Sequence, residues 1–419
     1  MGTIYLKTYQ WLLRAVFELL DVFPPRKIER EEFSLRKGAI PEEYSPPETG
    51  TIWIHGASLG EHITLNPFTR KLGEIYGKEK IVCTATTMDG LKYLRKQEIC
   101  GLATLLPIEL PAITIPFIEK IKPSVMLISE TEIWPLLLST LARKNIPYGI
   151  INGRINEKSV RLMRIFWPLF ENAVNNFSFV FVQEKHYQRR FKILGVAPEK
   201  IKTLGCFKYD FKDQPVEVTE IRKRFGIPEE RKVICFGSTH PGEEEQILDA
   251  LEPLWSQLDA TVVIAPRHVK RTKDVKELLK QRNLDFSTAS NPRNIAGHVI
   301  LVDTLGELRN FYAVSSLAFV GGSLIKRGGH NLMEPAAFAK PILTGPETFN
   351  FRYEMMALNK AKAVITVHNT DELRNTIQYW IDKPEDFIAM GSRARNVLDS
   401  MAGASDRTIS QLKELKLLP

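Results

Sequence analysis

The sequence lacks the features that mark several common protein classes. Its four cysteines lie far apart, at Cys83, Cys100, Cys206 and Cys235, and they form no CxxC pair and have no neighbouring histidine. This spacing excludes a zinc framework and a secreted disulfide scaffold, and it fits a reducing compartment. No GKS or GKT tripeptide occurs. The chain therefore has no Walker-type phosphate loop, which disfavours phosphoryl transfer.

A long apolar run is also missing. The stretch from Tyr9 to Phe23 is rich in Trp, Leu, Val and Phe, but Arg14, Glu18 and Asp21 interrupt it. A spanning helix needs about 20 mostly apolar residues. No small-residue cleavage site follows, so the stretch does not read as a signal peptide.

Two interpretations of this N-terminal stretch remain, and both are helical. Five apolar residues fall on one side of such a helix: Trp11, Leu12, Ala15, Val16 and Leu19. This pattern suits an amphipathic helix on a membrane and equally a helix packed on the protein. In the first case the basic residues Arg26, Lys27 and Arg30 would face phospholipid headgroups. We favour the first, and we predict a membrane-associated helix over residues 1–32.

The length and net charge of the chain restrict the number of domains and the kind of partner only loosely. A chain of 419 residues is long for one domain, so two domains are expected. Hydrophobic residues make up 44% and charged residues 25%, which is ordinary for a globular protein. The net charge of +8 suits an anionic partner such as a membrane surface, a phosphorylated lipid or a nucleotide. Composition alone favours the plainer interpretation, in which the protein is mildly basic without a specific anionic partner, as many cytosolic proteins are.

Ten short apolar runs alternate with polar-faced helical stretches. In the first half the predicted strands are Thr51–Ser58, Ile81–Ala85, Val125–Ser129, Tyr148–Asn152 and Phe177–Gln183. In the second half they are Val233–Gly237, Thr261–Ala265, Val299–Asp303, Leu317–Gly321 and Pro341–Thr344. Continuous apolar runs of this length are typical of buried parallel strands, and they predict two doubly wound α/β domains. The polar segment Asp210–Val218 marks the boundary, which gives domains over residues 33–212 and 213–419.

Carboxylates follow two strands of the first half. Glu61 ends the motif HGASLGE, where it could complement a helix dipole or act as a general base. Glu130 and Glu132 lie in SETEIWP, and we expect one of them to be structural and one functional. Ligands of open α/β sheets bind beyond the carboxyl ends of the strands, which is where all three lie.

Basic residues follow later strands of the same half. Arg154 and Lys158, in NGRINEKS, could bind an anion or form a solvated basic face. Lys208, in GCFKYD, could neutralise a leaving phosphate. A surface lysine without such a role is the commoner case.

Two motifs of the second half suit an anion. In GSTHPGEEE (residues 237–245) a strand runs into a helix start, where we predict that Ser238 and Thr239 help to cradle a bound anion. In APRHVKR, Pro266 shapes a turn and Arg267 can reach a phosphate. No DxD-type carboxylate pair ends a strand in this half, so we predict no essential metal.

Two further motifs suit a nucleoside. DTLGEL (residues 303–308) exposes backbone groups around Gly306 that could read a base, or it is an ordinary connection. The segment FVGGSLIKRGGHNLMEPAA (residues 319–337) combines a glycine-rich loop with a helix start near Asn331. Glycines allow a ligand to approach the backbone closely, and Glu334 is placed to accept hydrogen bonds from a ribose diol.

Together these motifs resemble the 3-deoxy-D-manno-octulosonic acid (Kdo) transferase family. The strongest anchors are LGE at 59–61, ETEIWP at 130–135, GSTHPGEEE, DTLGEL and GGHNLMEPA, and the resemblance runs from the N-terminal helix to about Lys340. It implies a GT-B fold, in which two Rossmann-like domains face a central cleft. It also implies an inverting transfer of Kdo from CMP-Kdo to a lipid A precursor, lipid IVA, on the cytoplasmic face of the inner membrane, without a cofactor or a nucleic-acid partner.

The resemblance also implies roles for single residues. Glu61 matches the proton acceptor, and Glu130 and Lys208 match residues that stabilise the transition state. The positions that match the CMP-binding residues are Pro266, Arg267, Leu305, Gly306, Glu307, Asn331, Leu332, Met333 and Glu334.

Two other hypotheses stay open. A sugar-nucleotide epimerase or a transferase with a uridine donor would share the glycine-rich loop, but it leaves Glu61 and the ETEIWP carboxylates unexplained. A lipid-surface scaffold without catalysis would fit the charge and the N-terminal helix. It would not need Glu61, Lys208 or Glu334.

Overall fold

The computed structural model describes residues 2–22, 30–210, 216–292 and 299–418. The chain divides into two compact units. Unit 1 comprises Met1–Lys212 and Met401–Pro419, and unit 2 comprises Asp213–Ser400. Arg26 and Lys27, which we expected to face headgroups, lie outside the described residues, as does part of the predicted boundary segment.

Each unit is built on a parallel sheet. The strands of unit 1 are β1 (Thr51–Gly56), β2 (Ile81–Ala85), β3 (Leu102–Leu105), β4 (Pro123–Ser129), β5 (Tyr148–Gly153), β6 (Phe179–Val182) and β7 (Ile201–Thr203). Those of unit 2 are β8 (Lys232–Thr239), β9 (Ala260–Pro266), β10 (Phe286–Thr288), β11 (Val299–Leu301), β12 (Leu317–Val320), β13 (Ile342–Thr344) and β14 (Val364–Thr366). The strand orders are β3-β2-β1-β4-β5-β6-β7 and β10-β11-β9-β8-β12-β13-β14.

Helices follow nearly every strand. The first nine are α1 (Gly2–Val22), α2 (Arg30–Arg36), α3 (Leu59–Tyr76), α4 (Met88–Gln97), α5 (Pro111–Ile121), α6 (Pro135–Arg143), α7 (Glu157–Ile165), α8 (Trp167–Asn175) and α9 (Lys185–Ile193). They are followed by α10 (Val218–Arg224), α11 (Glu243–Leu251), α12 (Thr272–Gln281), α13 (Leu308–Val314), α14 (Met333–Ala336), α15 (Arg352–Lys360), α16 (Thr370–Asp382), α17 (Pro384–Met401) and α18 (Ala404–Glu414).

Both sheets are covered on both faces, which explains why their strands read as continuous apolar runs. In β1, Ile52 and Ile54 join one hydrophobic cluster of unit 1, whereas Trp53 joins the other. In β8, Cys235 and Phe236 likewise enter two different clusters of unit 2. Successive side chains of a strand point to opposite faces, so both faces must be apolar. The predicted α/β class, with two doubly wound sheets, is confirmed.

The C-terminal helix corrects the expected extent of the second domain. Residues 401–419 belong to unit 1, although we assigned 213–419 to one domain. Ile409 and Leu412 of α18 are buried in the same cluster as Phe207. The carboxylate of Asp210 also accepts hydrogen bonds from the amides of residues 403–405 at distances of 2.6 to 3.1 Å. Apolar burial and this cap therefore hold α18 on unit 1.

Helix α1 packs on unit 1 and still presents an apolar face to solvent. It lies against α8, and the hydroxyl of Tyr9 donates to the buried Glu109 carboxylate at 2.7 Å. The face predicted from the sequence is exposed, with Trp11 67% accessible. The other exposed members are Leu12, Ala15, Val16 and Leu19. No helix in the described part of the chain has the length and hydropathy that crossing a bilayer requires.

Candidate active site

Three carboxylates lie at one edge of the unit 1 sheet. Strands β1 and β4 are neighbours, and both point their carboxyl ends to this edge. Glu61 lies in the first turn of the helix after β1, and Glu130 and Glu132 lie within three residues of the end of β4. The charge of Glu61 contributes to raising the pKa of both Glu130 and Glu132. The fold therefore brings the sequence-predicted acidic residues of unit 1 into one electrostatic cluster.

Glu61 is held in place by the start of α3. Ser58 is the N-cap, and its hydroxyl oxygen accepts from the Glu61 amide at 3.3 Å. The Glu61 carboxylate accepts in turn from the Ala57 amide at 3.1 Å and from the Ser58 hydroxyl at 3.2 Å. This arrangement resembles a capping box. It orients the carboxylate, and each oxygen keeps a further lone pair for a substrate hydroxyl.

Glu130 sits on a strained backbone beside a cation. Its φ of +55° is in the left-handed region, which is uncommon for a residue other than glycine. Its carboxylate pairs with the Arg154 guanidinium at 2.7 Å, and the Thr131 hydroxyl donates to the Arg154 carbonyl at 2.7 Å. Burial raises the pKa of Glu130, although Arg154 opposes this shift. Arg154 thus binds a carboxylate of the cluster, a partner that the sequence did not indicate.

Glu132 has the most perturbed carboxyl group of the three. Burial raises its pKa to about 7, with further contributions from the charges of Glu61 and Glu130. A carboxyl group that is half-protonated near neutrality, next to two other carboxylates, is a recognised sign of a functional site. We expected one of Glu130 and Glu132 to be merely structural, and the surroundings of both suit chemistry.

Lys208 lies in a short 3₁₀ turn, Phe207–Tyr209, after the edge strand β7. The side-chain oxygen of Asn152 accepts from the Phe207 amide at 3.2 Å, and the Phe207 ring stacks on Phe68 with centroids 4.8 Å apart. The turn is thus fixed by its neighbours, whereas the Lys208 side chain is exposed, with its ammonium 4.9 Å from the Tyr209 ring centroid.

In unit 2 the predicted anion-binding residues Ser238 and Thr239 are the last two residues of the central strand β8. Ser238 has a φ of +57°, which is left-handed. Thr239 is fully buried, and its hydroxyl donates to Glu244 at 2.8 Å. Arg271 forms a bidentate pair with the same carboxylate, at 2.8 and 3.3 Å. The hydroxyl of Thr239 therefore already has a structural partner. That Thr239 also contacts a bound anion stays a prediction.

The motifs after β9 and β11 expose their central residues. The Arg267 amide donates to the Thr239 carbonyl at 2.9 Å, and its side chain is exposed. Leu305 is 87% exposed, and Gly306 has a φ of +87°. The Glu307 carboxylate pairs with Arg224 at 2.7 Å, which the sequence did not indicate.

The glycine-rich segment ends in the helix start that the sequence predicted. The Asn331 oxygen accepts from the Met333 amide at 3.1 Å, and the Asn331 amide donates to Glu334 at 3.3 Å. Leu332 and Met333 are fully buried. Burial raises the pKa of Glu334, and Arg267 opposes the shift. The charges of Arg267, after β9, and Glu334, after β12, therefore interact within unit 2.

Similarity to known proteins decides the family. A sequence profile described as 3-deoxy-D-manno-octulosonic-acid transferase (kdotransferase) matches residues 30–211. Over 413 residues the chain is 33% identical to the 3-deoxy-D-manno-octulosonic acid transferase of Haemophilus influenzae, a match that covers 96% of this chain and 95% of that protein. The chain belongs to the Kdo transferase family. It is therefore an enzyme and a glycosyltransferase.

Solved structures agree with this transferase in fold. A glycosyltransferase from Rickettsia africae is 15% identical, with a TM-score of 0.57 over 88% of this chain and 98% of that one. A UDP-GlcNAc 2-epimerase from Neisseria meningitidis is 16% identical, with a TM-score of 0.58 over 87% and 100%. At this identity the likeness shows the fold alone, and the predicted GT-B fold is confirmed.

The transferase also contains an organising residue that the sequence did not single out. Glu243 is fully buried, and its carboxylate accepts from the amides of His240, Gly322, Ser323 and Leu324 at 2.7 to 3.0 Å. It thereby joins the loop after β8 to the glycine-rich loop after β12. In GSTHPGEEE this residue looks like one more helix-start glutamate, because three of its four partners lie about 80 positions further along the chain.

Proposed function

We propose that this transferase moves Kdo from CMP-Kdo to a phosphorylated lipid A precursor (lipid IVA) in lipopolysaccharide synthesis, with inversion at the anomeric carbon. The observation that carries the proposal is the carboxylate cluster of Glu61, Glu130 and Glu132 at one edge of the unit 1 sheet. A binding scaffold has no use for a cluster of three carboxylates in which burial raises the pKa of Glu130 and Glu132, whereas proton transfer to and from a hydroxyl requires such groups.

Glu61 is the proposed general base. The incoming hydroxyl of the acceptor gives its proton to the Glu61 carboxylate as the oxygen attacks the anomeric carbon of Kdo. The bond from that carbon to the CMP phosphate breaks on the opposite face, so the configuration inverts in one displacement, as at the single-step centre of inverting glycosidases. The contacts from Ala57 and Ser58 support this role, since they fix the carboxylate at the start of α3.

The departing phosphate needs positive charge, and we assign it to Lys208 and Arg267. Both side chains are exposed. Charge that develops on a leaving group is stabilised by preorganised cations. Because these side chains can supply that charge, we propose that no metal ion is essential, and we expect the transfer rate to be unchanged in excess EDTA.

The donor is proposed to bind unit 2. Glu334 would accept from the ribose hydroxyls, and the loop around Gly306 would contact cytosine. The exposure of Leu305 and Gly306 and the electrostatic interaction of Arg267 with Glu334 support this assignment. The contacts of Ser238, Thr239 and Pro266 with the donor remain part of the proposal.

The acceptor is proposed to bind a basic and apolar surface of unit 1. A groove of about 420 Å³ lies beside α7 and α9. Its basic lining residues are Arg161, Arg164, His186, Arg189 and Arg190. On the same stretch of chain Leu162, Ile165 and Phe166 are exposed. Cations beside apolar side chains suit a phosphorylated lipid at a membrane surface.

The transfer assay tests the assignment of donor and acceptor. We expect the purified protein to release CMP from CMP-Kdo only when the lipid A precursor is present, and to add Kdo to that lipid. A uridine-linked sugar should give no product. CMP-independent epimerisation of a UDP-sugar, or the absence of product with fresh CMP-Kdo, would contradict the proposal.

We further propose that α1 attaches the enzyme to the cytoplasmic membrane surface through its exposed apolar face. Replacing Trp11 and Leu12 together by Ala should reduce sedimentation with vesicles that contain anionic lipid several-fold, because buried apolar area drives such binding. Replacing the exposed ion pair of Arg14 and Glu18 by two alanines keeps the net charge and is the matched control. Equal loss of binding in both variants would contradict a role for the apolar face.

A further inference from the structure

Two histidines of unit 2 form a close pair that the proposed reaction does not use. His240 directly follows β8, and His330 lies in the glycine-rich loop after β12. Their Nε2 atoms are 2.8 Å apart, and the ring planes are parallel within 1° with centroids separated by 5.1 Å. At this separation the rings meet edge to edge. One Nε2–H donates to the other Nε2, so the two imidazoles share one proton at the contact.

The backbone is shaped around this pair. Gly322 has a φ of +67°, and a Cβ added there would lie 2.9 Å from Cδ2 of His330 and 3.4 Å from Cδ2 of His240. A side chain at this position would push against His330. The neighbouring amides of Gly322 and His240 are both held by the Glu243 carboxylate. The histidine pair therefore lies where the Glu243 carboxylate joins the loops after β8 and β12. It is not a chance contact of surface side chains.

Positive charge surrounds the pair. Burial lowers the pKa of His240, and so do the charges of Arg327, His268, Arg271 and Arg267. The same combination of burial and cations lowers the pKa of His330 to about 4. The ring of His268 is perpendicular to that of His240, with centroids 5.9 Å apart.

A negative group of α11 is bound to the backbone of the same two loops. This group is the carboxylate of Glu243, which four backbone amides already solvate. Near neutral pH both imidazoles are thus uncharged, because the surrounding cations disfavour their protonation. A bound anion would offset those cations and favour protonation.

We propose that the His240–His330 pair is a proton-linked oxyanion site, which gains one proton when the phosphate or the sugar carboxylate of the donor binds beside it. The inference rests on the proposed function, because it takes the donor to bind unit 2. An oxyanion offsets the field of the arginines and gives a protonated imidazole an ionic partner. One proton is the limit, because it can occupy Nδ1 of the donating ring while the Nε2–H···Nε2 contact persists. A second proton would leave two donors facing each other.

The consequence is a pH-dependent affinity for the donor. In the free enzyme the pair loses its proton below the ordinary pH range of a histidine, because burial and the nearby cations lower the pKa of both imidazoles, and in the complex the pair stays protonated to a higher pH. Between the pKa values of the pair in these two states the dissociation constant rises up to tenfold for each unit of rising pH, by proton linkage. Below both values, and above both, affinity does not depend on this pair.

Calorimetry on the full-length protein tests the inference. The first probe is the methyl diester of CMP, whose phosphate has no ionisation near neutral pH. Titrations at about pH 6.5 in two buffers of different ionisation enthalpy count the protons taken up. We expect close to one proton, and binding that weakens towards tenfold per pH unit above this pH. The second probe is a cytidine diester that carries a carboxylate on its sugar. Uptake with both probes assigns the proton to the phosphate, and uptake with the second alone assigns it to the carboxylate.

Variants separate the pair from its surroundings. His330→Gln keeps a side chain that can hydrogen-bond to His240, and it should bind both probes without proton uptake and with little pH dependence. His268→Gln, at the exposed neighbouring histidine, should keep the uptake. Binding by the wild type without uptake, or full uptake in His330→Gln, would overturn the inference and leave the proposed function intact. Failure of the wild type to bind either probe at any pH would contradict the proposed function itself and the inference with it.

Discussion

Three residues at strand ends adopt a backbone conformation that ordinarily favours glycine. Glu130 after β4, Asn152 in β5 and Ser238 in β8 have φ values of +55°, +50° and +57°. Such a conformation costs roughly 1–3 kcal/mol per residue and persists only where the surroundings enforce it. Two of these residues carry a predicted role, and the third holds the turn of Lys208. The strain thus lies where the proposed chemistry needs side chains aimed away from the sheet.

Glu132 gives a pH-dependent prediction for stability. Its folded pKa of about 7 lies above its ordinary value of 4.5, so the folded protein binds more protons than the unfolded chain between these two pH values. Rising pH through this window therefore destabilises the wild type. Glu132→Gln removes the penalty, and it should be more stable than the wild type by about 1–2 kcal/mol at pH 8, after allowance for solvent screening.

Urea unfolding of both proteins at about pH 4.5 and pH 8 measures this difference. The advantage of Glu132→Gln should be small at the lower pH and largest at the higher one. A difference in stability that does not change with pH would show that Glu132 is not buried as a charged group.

Glu243 gives a prediction for the loop junction. Glu243→Ala leaves the four amides that it binds without their acceptor, in a site with no exposure of the original side chain. We expect a loss of about 3–5 kcal/mol in the unfolding free energy, the typical result of removing one partner from a buried charged contact. Glu245→Ala, at an exposed glutamate of the same helix start, should cost less than about 0.5 kcal/mol. Similar thermal stability in the two variants would contradict the structural role of Glu243.

The sequence predicts some of the site residues themselves, but it does not predict their partners. Glu61 and Glu130 stand out because their motifs follow strands directly, and position relative to a strand is a local property. The partners of Glu130 and Glu243 could not be predicted, since Arg154 and residues 322–324 reach them only through the folded sheet. For the same reason the His240–His330 pair has no signature in the sequence.

At the scale of elements, the strands that the sequence missed share one property. The missed strands are β3, β7, β10 and β14, and each lies at an edge of its sheet. They contain three or four residues, and all four are only partly buried. An edge strand is covered less than a central one, so its sequence is short and mixed in polarity. The central strands could be predicted because burial on both faces makes their sequences continuously apolar. The edge strands lack that burial, so they gave no such signal.

The cap of α18 connects an element of the C-terminus to the turn of Lys208. Asp210 follows that turn directly and accepts from three amides at the start of α18. Asp210→Ala should lower the unfolding free energy by about 1–2 kcal/mol, as the loss of a helix cap does. Because the turn also loses its anchor, kcat should fall several-fold while the affinity for CMP stays unchanged.

Asn369→Ala is the matched control for this prediction. Asn369 caps α16 in unit 2 by accepting from the Glu372 amide at 2.9 Å, and it lies outside the proposed site. The control should lose a comparable amount of stability and keep its kcat. If both variants lose activity equally, the effect of Asp210→Ala is a general consequence of lower stability rather than of a displaced Lys208.

At the scale of the whole molecule, residues 401–419 belong to unit 1, although they follow unit 2 in the sequence. The sequence indicated the boundary near residue 212 because a polar, proline-containing segment lies there, and the division of the structure falls between Lys212 and Asp213. The packing of residues 401–419 on unit 1 could not be predicted. The sequence of an amphipathic helix such as α18 shows that one face is apolar, but it does not identify the hydrophobic core on which that face packs. Its partners, Phe207 among them, lie about 200 residues earlier in the chain.

The central claim is that Glu61 is the base of a Kdo transfer, and one comparison tests it most directly. Glu61→Gln retains a side chain that can complete the capping arrangement with Ser58, so folding and CMP binding should match the wild type. The rate of Kdo transfer from CMP-Kdo to the lipid A precursor should fall by roughly 10²–10⁴-fold, the usual effect of removing a general base. A Glu61→Gln enzyme that transfers Kdo within a few-fold of the wild-type rate would contradict the account.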